Sequence, residues 1–151
     1  MGTVNYTERI EQLKNEVSQR TLMMNQFINS LISFNFFLNA QTTLCEEQLM
    51  VNYYIAKAKD IISACSKLNQ LQMMDEEICD SLEDMDSNVK TAHEKHLSCE
   101  LIQIMESELY EALENSIPVV SETTRKFTAV REHMNELQTE MSHTFKWLNN
   151  M

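Results

Sequence analysis

Apolar residues recur every seventh position from near the start of the chain: Ile10, Val17, Met24, Leu31 and Leu38. A second row, Leu13, Phe27 and Phe34, lies between them and is interrupted by Arg20 and Gln41. Such a pair of rows marks a helix buried along one stripe. Met23, Ile28 and Phe37 widen the stripe beyond what a two-stranded seam requires, so several helical neighbours are expected. The rhythm continues in phase through Leu44, Val51, Ala58 and Cys65, with Tyr54, Ile61 and Leu68 in the second row and Ile55 and Ile62 beside them. The sequence TLCE at 43–46 fits a helix-starting capping box, but the unbroken phase favours one continuous helix across Thr43.

A further segment follows in Ile78, Leu82, Met85, Val89, Ala92, His96, Cys99, Ile102, Met105, Leu109 and Leu113. The polar run at 69–77 is the expected turn before it. Pro118 then interrupts the pattern, because proline lacks a backbone donor and disfavours helix in the residue before it. Ser116 is placed to cap a last helix carrying Val120, Phe127, Val130, Met134, Leu137, Met141 and Leu148. The pattern predicts helical segments at about 6–41, 43–70, 76–116 and 118–148 within a single helical domain. Two arrangements satisfy it: a four-helix bundle broken near residues 40, 73 and 117, or a long antiparallel hairpin that needs partner chains to cover its stripe.

Composition supports the all-α class. The chain has one glycine and one proline among 151 residues, where average usage gives roughly ten and seven or eight. Without glycines the positive-φ turns of a β-rich fold are hard to build. The net charge of −11 opposes binding to nucleic-acid phosphates and to anionic membrane surfaces. Residues 22–38 are the most apolar stretch, yet Asn25, Gln26, Asn29, Ser30, Ser33 and Asn35 inside it would lack partners in lipid, so no membrane insertion is expected. The opening MGTVNYTERIEQLKNE has no basic and apolar signal-peptide regions, and Tyr6 fails the myristoylation pattern that Gly2 begins. Cys45, Cys65, Cys79 and Cys99 form no C-x-x-C pair and read as reduced thiols of a cytoplasmic or nuclear protein.

No catalytic motif emerges. Asp84, Asp86 and Asn88 copy the start of a calcium loop, but Val89 and Lys95 stand where Gly and Glu are required. His93, His96 and Cys99 share a helical face with metal-ligand spacing, although His96 and Cys99 also fall on expected core positions. Glu140 and His143 supply one E-x-x-H where a di-iron bundle needs two. The reading is a non-enzyme without metal or other cofactor. The eleven methionines read as core filling rather than as an adaptable binding groove.

The stretch FFLNAQTTLCEEQL at 36–49 resembles the pattern F-L-N-x-F-x-x-x-C-x-x-x-L of small coiled-coil subunits in the actin-regulatory WASH and WAVE complexes. Phe37, Leu38, Asn39, Cys45 and Leu49 match it, as do Glu46 and Glu47 after the cysteine; with two residues inserted between, Arg20, Thr21 and Asn25 to Phe27 resemble the segment upstream. Gln41, Asn52 and Ala56 depart from the pattern, and the resemblance covers residues 20–49. It implies a structural subunit of a cytoskeletal assembly, hetero-oligomeric with other helical subunits, with Asn39 setting register. Phe27, Leu31, Phe34, Phe37, Leu38, Asn39, Cys45 and Leu49 would then form the partner interface. Homo-oligomerisation is a variant of this reading. The alternative is a self-contained four-helix bundle that binds a small ligand or a partner helix.

Overall fold

The computed structural model describes residues 6–41 and 48–144, with every side chain in those ranges except at 31, 34, 35, 37–41, 48–50, 142 and 144. Apart from a short connection, the described residues are helical: α1 spans Tyr6–Gln41, α2 Gln48–Glu94 and α3 Cys99–Thr144. The all-α expectation holds. Contacts divide the chain into two compact units, Met1–Arg20 with Gln70–Thr124 and Thr21–Asn69 with Arg125–Met151.

In the first unit, Ile10, Leu13 and Val17 of α1 meet Cys79, Leu82 and Val89 of α2 and Leu109, Leu113 and Val120 of α3. The spacings of three, four and seven put each trio on one helical face. Burying each large side chain contributes roughly 1.5–3 kcal/mol. Polar contacts fix the directions. Thr7 Oγ1 donates to Asp86 Oδ2 at 2.7 Å and Lys14 reaches Glu83 at 2.7 Å, so α1 and α2 run antiparallel here. Arg9 meets Glu114 at 2.6 Å and Arg20 meets Val120, so α1 and α3 run parallel.

The second unit is built around Val51, Tyr54, Ile55 and Ala58 of α2 and Met134, Leu137 and Met141 of α3. Phe27 of α1 packs against that core, half-buried, with the Arg131 guanidinium 5.8 Å from its ring centre. Tyr53 and Tyr54 stack edge to face at 5.3 Å, the geometry that the ring quadrupole favours.

Two expected breaks are absent. Residues 69–77 are not a turn: α2 runs through them unbroken. Pro118 lies inside α3 and does not begin a helix, and Ser116 donates to the Ala112 carbonyl at 2.6 Å instead of capping. Pro118 has no N–H to offer the Glu114 carbonyl, and Leu113 and Val120, fully buried on either side, anchor the helix across it. The expected continuity of one helix across Thr43 falls on residues 42–47, outside the described residues. The capping box at Thr43 lies outside the described residues, as does the expected end near Trp147.

The connection between α2 and α3 falls instead at residues 95–98. Leu97 N–H donates to the Ala92 carbonyl and His96 N–H to the His93 carbonyl, both at 3.1 Å, the paired bonds of a Schellman helix end. His96 adopts φ of 55° where glycine is usual. Ser98 then starts α3, its Oγ accepting from Leu101 N–H at 3.3 Å. His96 and Cys99 are therefore exposed, not core-facing as their heptad positions suggested.

Candidate interaction surface

No stretch of the chain is as poor in charge as residues 21–45, which contain no Asp, Glu, Lys, Arg or His. Within it α1 shows two apolar rows. The inner row enters the second unit through Met24, which is buried, and Phe27. The outer row is Leu22, Asn25, Asn29, Ile32 and Phe36, spaced three and four apart and so on one side of the helix. Its apolar members are open to solvent: Leu22 is 67% exposed, Ile32 53% and Phe36 77%.

Of the residues expected at the interface, Phe27 faces the chain's own core. Cys45 lies outside the described residues, and only the backbone is described at Leu31, Phe34, Phe37, Leu38, Asn39 and Leu49. Leu22, Ile32 and Phe36 were missed because only the inner row was followed. The signal available was the second row offset from the first by two residues.

The cysteines, histidines and carboxylates singled out in the sequence lie as follows. Burial, and then the charges of Asp75, Asp80 and Glu83, push the Cys79 thiol up to about 11. Burial also raises Cys65. Neutral buried thiols are poor nucleophiles. Cys99 is exposed, with a free thiol. His93 Nε2 lies 3.0 Å from Glu106 Oε1, and among the described residues no three His, Cys, Asp or Glu converge to hold a metal ion. Asp84, Asp86 and Asn88 sit within α2, where a calcium loop cannot form; Asp86 instead accepts from Thr7 and lies 3.4 Å from Lys90. Glu140, of the single E-x-x-H, faces Lys57 at 3.9 Å.

The most buried polar cluster is in the first unit. Arg20 Nη2 donates to Asp75 Oδ2 at 2.8 Å, with the two side chains 5% and 2% exposed. Arg20 Nη1 also reaches the Val120 carbonyl at 3.3 Å and Thr124 Oγ1 at 3.4 Å. Gln72 Nε2 donates to the Val17 carbonyl at 2.7 Å. All three helices are tied at this level, which fixes their register in the first unit.

The class that emerges is an all-α chain with an apolar outer row on α1 and no assembled catalytic centre among its described residues. No described helix is long and apolar enough to cross a membrane. Comparison with protein-family models, with curated proteins and with solved structures finds no match.

Proposed function

We propose that the chain is a non-enzymatic helical subunit of a larger, cytoskeletal assembly, docking through the outer row of α1 against helices of other protein subunits. The observation that carries this reading is the exposure of Leu22, Ile32 and Phe36 on one uncharged helix face. Burying the three would contribute on the order of 1.5–3 kcal/mol each, enough to hold a helix once Asn25 and Asn29 find partners. A buried Asn within such a seam selects register and partner number. The likeness of residues 20–49 to WASH and WAVE subunits supports a cytoskeletal setting, a hetero-oligomeric state and a cytoplasmic location.

The test is a Leu22→Ser, Phe36→Ser double variant, tagged and purified from native cell extract beside the wild type. Stoichiometric partner subunits should accompany the wild type and be lost from the variant, while far-ultraviolet circular dichroism stays unchanged. Retention of the same partners by the variant would sink the reading.

A further inference from the structure

A groove of about 320 Å³ opens between α2 and α3 in the second unit, well away in sequence from the outer row of α1. Its floor is apolar, made by Ile61, Ala64, Val130 and Leu137. The volume lies at the lower end of the range for ligand sites and suits one or two inserted side chains. Ala64 keeps it open, since any larger residue at that position would project into the space.

The rim is acidic. Asp60, Glu136 and Glu140 outnumber Lys57 there, with His133 the remaining titratable group. Lys57 is turned to one side: its Nζ lies 4.8 Å from the centre of the Tyr53 ring and 3.9 Å from Glu140 Oε2. Its pKa is raised, first by a hydrogen bond to Tyr53 and also by the charge of Glu140. Glu136 meets His133 at 3.8 Å, both well exposed. Asp60 makes no ion pair among the described residues.

We infer that this groove docks a basic amphipathic peptide segment of a partner, which seats an apolar side chain over Ala64 and Leu137 and sets Lys or Arg against Asp60 and Glu136. The complementarity is of two kinds at once: an apolar floor for the apolar face, and two carboxylates, one without a cation partner among the described residues, for the basic one. The chain's net charge of −11 also draws cationic segments toward it. This surface is separate from the α1 row, so either reading can fail without the other.

The experiment is fluorescence anisotropy of a labelled amphipathic peptide made of Lys, Leu and Ala, titrated with the full chain at low and physiological salt. Saturable binding is expected, weakening with salt. Asp60→Asn with Glu136→Gln should weaken it at least tenfold, and Ala64→Phe should abolish it. A control, Glu108→Gln with Glu111→Gln on the exposed face of α3 in the first unit, should bind as the wild type does. Circular dichroism melts identify any variant that has lost its fold, and the Asp60, Glu136 variant, altering only the rim, decides the matter if Ala64→Phe does not fold. No binding, an unaffected Asp60, Glu136 variant, or an equal loss in the control would overturn the proposal, the last by showing attraction to net charge alone.

Discussion

Helix α1 passes through both units and is treated differently in each. Over residues 6–20 its described large apolar side chains turn inward, and its outer face carries Arg9 and Lys14, each paired with a carboxylate of another helix. Beyond residue 20 it carries no charge to its end at Gln41 and leaves Leu22, Ile32 and Phe36 in solvent. The first unit therefore specifies its own helix arrangement, by a buried polar layer and cross-helix ion pairs. The second is held by apolar packing around Tyr54, Met134 and Leu137, and its stretch of α1 remains open to another surface. One helix thus combines a half whose described large apolar side chains are covered with a half that leaves three of them exposed.

The comparison breaks first at Asp75. Asp75→Ala should lower stability by about 3–5 kcal/mol, because it strands the Arg20 charge in a dry site; urea denaturation followed by circular dichroism measures the loss. Replacing both partners, Arg20→Met with Asp75→Leu, should recover most of it. If Asp75→Ala proves no more harmful than a surface change, the two regions do not differ in what specifies them.

A smaller effect of opposite sign is expected at Pro118. Pro118→Ala restores a donor for the Glu114 carbonyl in mid-helix and should raise stability by up to about 3 kcal/mol, seen as a higher melting temperature. An unchanged melt would mean that α3 needs its interruption there.

The smallest change belongs to the exposed ion pairs. Glu114→Gln should lower stability by less than about 1 kcal/mol, an effect that fades as salt is raised. Its pair with Arg9 is half-exposed, with side chains at 34% and 42%. Lys57 with Glu140, longer at 3.9 Å, should matter no more. A larger, salt-independent loss at Glu114 would show that the first unit is specified at its surface as well.

The inner rows of the helices were legible because burial imposes a period on them: Ile10, Leu13, Val17 and Met24 are all buried, as are Leu82, Val89, Leu109 and Leu113. Two irregularities were read separately and explain each other. Arg20 broke a core row, and the polar run at 69–77 looked like a turn, but Gln72 and Asp75 from that run are the groups buried beside Arg20. Periodicity scores polarity, and it cannot tell a polar residue facing water from one facing a buried partner. The true connection at 95–98 was hidden for a different reason. The phase from Ala92 through His96 and Cys99 continues by coincidence across the reversal, and His96 takes the left-handed conformation that a glycine would have announced. Ser98, followed by Glu100, was the available sign of a helix start. The outer row of α1 and the groove over Ala64 depend on which faces are left uncovered once the helices pack, and a linear pattern does not contain that information.

The buried Arg20–Asp75 pair also constrains how such a sequence can drift. Neither residue can be exchanged alone without leaving a charge in the interior, so change at one position has to pass through an unstable intermediate or be accompanied by change at the other. Among chains descended from a common ancestor with this one, positions 20 and 75 should vary together or not at all. Positions 22, 32 and 36, exposed as they are, carry no such constraint from this fold, and each can change singly without leaving a charge in the interior.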